Sequence, residues 1–293
     1  MNISSDIQQM KLRHRLTYYF LHFLSRWLQR KSFSFRDKFA KNIGAFLYNY
    51  IPIRKARAKQ NIKIAFPNEN NDFHKKTLRD LYYTSSRNLI DFIAFPASHK
   101  NTEFEIIGKE ILDKEVKKRN GVILVTAHFG LWELWASWLG QNNYDIWGII
   151  QRQKNQGADL FFKEKRESYG MNHIYRKSSL NTPYEALKNG SILILASDQN
   201  AKKKGVNVKF FNKNSSTPKG TAIFHLRTKA SIVFSVAEII DINKIRISFK
   251  KVRSNSKSTI ETITQNYTSE LEKFVTNNPG HYFWFHNKWK IKN

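Results

Sequence analysis

The chain has 293 residues, 41 % apolar and 14 % aromatic, long and hydrophobic enough to bury a sizeable core and far from the composition of a disordered chain. Cysteine is absent, which excludes a disulfide framework, a Cys-ligated zinc site and a cysteine nucleophile. With 50 Lys and Arg against 23 Asp and Glu the formal net charge is +27, a field that attracts nucleic acid, an anionic membrane surface or an acidic partner protein.

From the N-terminus, residues 1–100 read as a helical region. No apolar core leads to a small-residue cleavage site, so no signal peptide is expected, and no stretch reaches the ~20 apolar residues of a membrane span. "LTYYFLHFLSRWL", Leu16 to Leu28, is apolar and aromatic but interrupted by His22, Ser25 and Arg26. Lys11, Arg13 and Arg15 precede it, and Arg30 and Lys31 follow. Two readings fit residues 12–30: a helix lying in a membrane interface, held by apolar burial and anionic lipid, or an ordinary helix covering the core. A turn is expected around Pro67. After it, Leu78, Leu81, Tyr82, Leu89, Phe92 and Ile93 fall at helical spacing until Pro96 stops the helix.

From about residue 104 short apolar runs alternate with helical patterns. Strands are expected at 121–126, 146–150, 191–196, 232–238 and 245–251, with helices at 131–141, 155–169, 181–189 and 218–229. Apolar runs joined by helices imply an α/β fold with a mostly parallel central sheet flanked by helices. Residues 101–293 form this core, and with the helical N-terminal region they are read as one catalytic domain. Ligands of such sheets sit at the carboxyl ends of the strands, where His128 follows "GVILVTA".

His128 and Glu133, five residues apart, would diverge by about 140° on one helix, so they are no helical metal pair. If His128 lies on a strand-to-helix turn with Gly130 bending the chain, Glu133 occupies the first helical turn and faces back toward the imidazole. A carboxylate on one ring nitrogen would leave the other as a general base. With no Ser elbow and no cysteine, the nucleophile would be a substrate hydroxyl. The plainer alternative is a satisfied histidine with a dipole-favoured glutamate. Asp198 and Gln199 end "SILILASDQN" on the same rim and are candidate substrate ligands. Arg152, in "IIQRQKN", and Arg166 could grip a phosphate bidentately or serve as surface cations. The segment "NPGHYFWFHNKWK" is either an aromatic plug for the core or the lining of a lipid-facing or base-stacking surface. "KKKGVNVKFFNKN" combines basic residues with aromatics as nucleic-acid binders do, yet its Phe pair fits a strand equally. No P-loop, dinucleotide fingerprint or zinc spacing occurs.

Taken in order, "RKARAKQNIKIAFPNEN", "TAHFGLWEL", "QRQKN" with "KRESYG", "SDQN" with "VKFFNKNSSTPKG", and "PGHYFWFHNKWK" resemble the late acyltransferases of lipid A biosynthesis, within the lysophospholipid acyltransferase group. The resemblance implies transfer of a fatty acyl chain from a thioester, with acyl carrier protein as donor, to a hydroxyl of a lipid A precursor or similar anionic glycolipid. It implies residence at the cytoplasmic face of the inner membrane, peripheral or weakly anchored through the N-terminal helix. His128 would deprotonate the hydroxyl and Glu133 orient the histidine. Arg152 would hold phosphate or stabilise the oxyanion, with Arg166, Asp198 and Gln199 as supporting substrate-binding residues. Neither metal nor cofactor is expected, and acidic carrier protein with anionic lipid accounts for the charge without nucleic acid. The chain departs from the pattern at Leu131, where Asn is usual, at Asn212, where Gly is usual, and at Asn287 and Lys288 in place of arginine. These departures leave another glycolipid or an aminolipid open as acceptor. The reading from a different class is a non-catalytic basic protein that binds lipid or nucleic acid.

Overall fold

The computed structural model describes residues 7–176 and 181–289. The N-terminal region is helical: α1 (Leu12–Gln29), α2 (Phe33–Tyr50), α3 (Lys55–Ala65) and α4 (Asn71–Ile93). The expected turn at Pro67 separates α3 from α4. Ser32 and Asn70 cap α2 and α4 by accepting the N–H groups of Phe35 and Phe73. Between α2 and α4 lies a buried polar cluster. Arg87 donates from Nη1 to Asp37 at 2.7 Å and from Nε to Asp91, and Arg36 lies 3.8 Å from Asp91. Removing Arg87 would take the bonded guanidinium from two buried carboxylates, leaving Asp91 only the more distant Arg36 and Asp37 only Lys41 and the Tyr83 hydroxyl. Arg87→Ala is therefore expected to cost about 3–5 kcal/mol, read as a lowered midpoint in chemical denaturation.

Next come β1 (Glu103–Ile107), α5 (Lys109–Lys117), β2 (Val122–Thr126), α6 (Trp132–Gln141), β3 (Ile146–Ile150), α7 (Gln156–Glu167), β4 (Met171–Tyr175), α8 (Asn181–Lys188) and β5 (Ile192–Ala196). They are followed by β6 (Val206–Phe210), β7 (Lys213–Thr217), α9 (Gly220–Thr228), β8 (Ser231–Asp241), β9 (Lys244–Lys251) and α10 (Ile260–Asn277). Seven strands form one sheet in the order β1-β9-β8-β2-β5-β3-β4, and β6 and β7 make a separate hairpin. The mostly parallel sheet with helices around it, expected from the sequence, is present.

Two strands run the other way. β8 turns directly into β9, too tightly for a crossover helix, so the two pair antiparallel, and β1 then joins β9 in parallel. Strand β2 is buried along its whole length. Ile123 and Val125 enter one core layer with α10 and the C-terminal aromatics, while Val122 and Leu124 enter the other with α6. The alternation is that of a strand covered on both faces.

The hairpin explains Asn212. Phe211 and Asn212 form the two-residue connection between β6 and β7, with φ of 49° and 56°. Positive φ at both central residues suits a type I′ turn, which Asn tolerates well. Helix α1 lies against α7. Tyr18 donates to Glu164 at 2.9 Å, His22 Nε2 lies 3.0 Å from the same carboxylate, and His14 Nδ1 lies 3.1 Å from Gln156 Oε1. Gly157 permits this approach, because a Cβ there would sit 1.9 Å from the His14 carbonyl oxygen.

Candidate active site

β2 and β5 are adjacent and parallel, with Thr126 paired to Ala196. His128 and Asp198 each stand two residues beyond these partners, so the sheet itself sets them side by side. His128 Nδ1 is 2.9 Å from Asp198 Oδ1. The aspartate side chain is fully buried and the imidazole 27 % exposed. Burial alone would raise the Asp198 carboxyl, but His128, with His286 and Lys288, outweighs it and holds the carboxyl down at about 2. Burial likewise opposes charge on His128, yet the Asp198 carboxylate more than compensates and raises the imidazole above its ordinary value. Asp198 thus selects the tautomer with Nδ1–H toward the carboxylate, leaving Nε2 as a proton acceptor. The Gln199 side-chain amide nitrogen lies 3.4 Å from Nε2.

The turn carrying His128 is held from below and from the side. Gly130 has φ of +57°, and a Cβ there would stand 1.8 Å from the Ala237 carbonyl oxygen, so only glycine lets the turn rest on β8. The Gly130 N–H donates to the His281 carbonyl at 2.9 Å, and Phe283 N–H donates to the His128 carbonyl at 3.0 Å. The Asp198 carbonyl accepts from Lys288 Nζ at 2.7 Å and from the Tyr282 hydroxyl at 3.3 Å. Segment 281–288 thereby clamps both members of the pair. Trp132, Phe283 and His286 flank the imidazole with ring centroids 5.4, 6.0 and 5.8 Å away. His286 is neutral near pH 7, since burial pushes it down to about 4.

Glu133 lies in the first turn of α6, as expected, but its carboxylate is engaged elsewhere. Arg166 grips it bidentately, Nη2 to Oε1 at 2.5 Å and Nε to Oε2 at 3.1 Å, and the Tyr169 hydroxyl donates to Oε2 at 3.3 Å. The carboxylate bonded to His128 is that of Asp198. Glu133 and Arg166 reach His128 through their fields, the first raising its pKa and the second lowering it. Arg166, on α7, also covers the Phe92 ring at 5.0 Å. Arg152 stands on the same rim two residues past β3 but turns toward β4. Its guanidinium lies over Tyr175 at 4.3 Å and the side chain is 69 % exposed. The fold brings together His128, Asp198 and Gln199, with Glu133 and Arg166 as a second pair nearby, and leaves Arg152 apart. Sequence reasoning did not anticipate the part played by Lys288, Tyr282 and His286. Their shared signal is position, since all lie in the polar-studded aromatic segment that ends the described chain.

A family model described as bacterial lipid A biosynthesis acyltransferase matches residues 6–291. The lipid A biosynthesis palmitoleoyltransferase of Escherichia coli is 22 % identical over 287 residues, 96 % of this chain and 92 % of that protein. The lipid A biosynthesis acyltransferase of Shigella flexneri matches to the same extent. The phosphatidylinositol mannoside acyltransferase of Mycobacterium tuberculosis is 25 % identical over 130 residues, covering 43 % of this chain but only 41 % of that relative's length.

Proposed function

Because the chain belongs to the bacterial lipid A biosynthesis acyltransferase family, we propose that it moves a fatty acyl chain from an acyl carrier protein thioester to a hydroxyl of a lipid A precursor or similar anionic glycolipid. The observation that carries the mechanism is the His128–Asp198 contact of 2.9 Å at the carboxyl end of two neighbouring strands. The acceptor hydroxyl gives its proton to His128 Nε2 as its oxygen attacks the thioester carbonyl carbon. The tetrahedral intermediate expels the thiolate, which recovers the proton from the imidazolium. Asp198 fixes the ring and stabilises its charged state. Gln199 is a polar contact that the acceptor displaces from Nε2. Arg166 and Glu133 set the field around the imidazole, and the largely exposed Arg152, which lies 3.9 Å from Asp159, would meet anionic groups arriving at the rim. Purified protein should acylate the acceptor, with the product gaining one acyl mass by mass spectrometry. No transfer from an acyl carrier protein thioester to any glycolipid tested would refute the proposal.

The field reading of Glu133 has a sign. As pH falls, protonation of His128 removes the base, so kcat/KM has an acidic limb. Glu133→Gln deletes a negative charge that raises the His128 pKa and leaves the opposing Arg166 charge unbalanced. The limb should therefore move to lower pH, while activity on the plateau falls less than for His128→Ala. A limb that stays in place would refute this role.

Two readings of the acceptor remain in the family's own terms. The relatives' names divide between lipid A and phosphatidylinositol mannoside, both glycolipids. Leu131 is buried in the core, so it offers the acceptor no polar contact, and a glycolipid other than a lipid A precursor is the second reading.

Association with the inner membrane is supported by α1. Leu12, Leu16, Tyr19, Phe20 and Phe23 recur on one side of the helix and are each more than half exposed, among basic residues such as Arg13 and Arg15. Such a face suits the interface of an anionic bilayer. Among the described residues no helix is long and apolar enough to cross a membrane. Replacing Phe20 and Phe23 with Asp should lower co-sedimentation with anionic vesicles by tenfold or more, on the order of 1.4 kcal/mol.

A further inference from the structure

At the turn that follows β5, beginning two residues past Asp198, lies a cavity of about 370 Å³. Asn200, Lys202, Lys203, Asn207, Ser216 and Lys288 line it, so every charged group on its wall is a cation. The wall is built by the turn after β5, by the β6–β7 hairpin and by the C-terminal segment. Its parts are tied together. Asn200 donates to the Lys288 carbonyl at 3.0 Å and accepts the Lys202 N–H at 2.7 Å, while Ser216 donates to the Lys202 carbonyl at 2.6 Å.

Lys288 is the unusual member. It is 1 % exposed, and its ammonium gives one hydrogen bond, to the Asp198 backbone carbonyl at 2.7 Å, and lies over the Phe210 ring at 4.8 Å. Among the described residues no carboxylate lies within ion-pair distance of it. A buried cation that touches no carboxylate directly, and has only the field of Asp198 to offset its desolvation, is costly, and an arriving anion would pair with it. Burial lowers the ammonium to about 8, which leaves it mainly charged at neutral pH.

Resting on the acyltransferase reading, we propose that this cavity is a phosphate subsite for a substrate, with Lys288 at its base and Lys202 and Lys203 at its mouth. Three ammonium groups with the amides of Asn200 and Asn207 are donors, and no carboxylate stands on the cavity wall, which matches a phosphate ester. Two substrates of the proposed reaction carry such a group: the phosphopantetheine arm of the donor and the phosphorylated headgroup of the acceptor. The position explains why the subsite is useful. Lys288 and Asn200 are bonded to each other and border Asp198 and Gln199, so a phosphate bound there fixes the rest of its molecule relative to the catalytic imidazole.

The test is isothermal titration of inorganic phosphate into the full-length protein at low salt and neutral pH, a readout independent of turnover. Saturable binding is expected, weakened about tenfold or more by Lys288→Met, as for loss of one charge-assisted hydrogen bond. Lys202→Ala with Lys203→Ala, both exposed and unable to disturb the core, should weaken it several-fold. Absence of saturable binding, or equal binding by all three proteins with unchanged melting temperatures, overturns the proposal. Steady-state kinetics then identifies the source. A raised KM for acyl carrier protein thioester, but not for an acyl-pantetheine lacking phosphate, assigns the donor. A raised KM for the phosphorylated acceptor, but not its dephosphorylated form, assigns the acceptor. Phosphate binding lost with neither KM changed means an adventitious ion only, and overturns the subsite. Should the protein transfer no acyl group at all, the acyltransferase reading fails while the titration still reports on the cavity.

Discussion

His128→Ala is expected to lower acyl transfer by about 10²–10⁴-fold, the usual worth of a positioned general base, measured as kcat/KM with saturating lipid acceptor. The size follows from the site's construction. A sugar hydroxyl is a weak nucleophile until its proton is removed, and in the proposed mechanism His128 Nε2, at the rim of β2 and β5, removes it. The ring is partly open to solvent, so its replacement creates no large cavity and the variant should fold. A melting temperature close to that of the parent, together with the loss of activity, would separate chemistry from stability. Full activity in the variant would transfer the role of base to another group and dismantle the proposed mechanism.

Asp198→Asn carries the second largest expected loss, about 10²-fold or more in kcat/KM. The amide keeps the shape of the carboxylate but reverses the hydrogen-bond choice, because its NH2 group favours the imidazole tautomer with Nδ1 bare. It also removes the charge that raises His128. The residual acidic limb should consequently lie at lower pH than in the parent. Both effects together identify an orienting carboxylate, since a merely structural aspartate would change the melting temperature and leave the limb in place. Lys288 and Tyr282 bond to the backbone carbonyl of Asp198 and not to its side chain, so the substitution leaves that support intact.

Much of this fold was legible in the chain, for a physical reason. β2 and β5 lie at the centre of the sheet, and strands covered on both faces must be apolar throughout, which makes short runs such as "VILVT" and "ILILA" stand out. β1 and β4 escaped because they are edge strands. "EFEII" and "MNHIY" mix polar and apolar residues where half the surface meets water. Helix α10 escaped because its buried positions, Ile263, Tyr267, Leu271 and Phe274, are diluted by Thr, Asn and Ser. In the site, His128, Asp198 and Gln199 were legible as polar residues just beyond apolar strands. Which carboxylate meets the imidazole was not. That choice depends on the pairing of Thr126 with Ala196 and on Arg166, 33 residues from Glu133, having claimed the nearer acid in sequence. Register and helix docking are tertiary facts without a local signature.

The clamp formed by residues 281–288 bears on when the protein becomes active. The central sheet is complete once β9 has been made, and α10 can then pack on it. His128 and Asp198 are both on the chain by that stage, yet the bonds that fix their two turns, from the Gly130 and Phe283 N–H groups, the Lys288 ammonium and the Tyr282 hydroxyl, all require residues synthesised later. Tyr282, Trp284, Phe285 and Trp289 also complete the core layer against β2, so the fold and the setting of the two turns are finished by the same last segment.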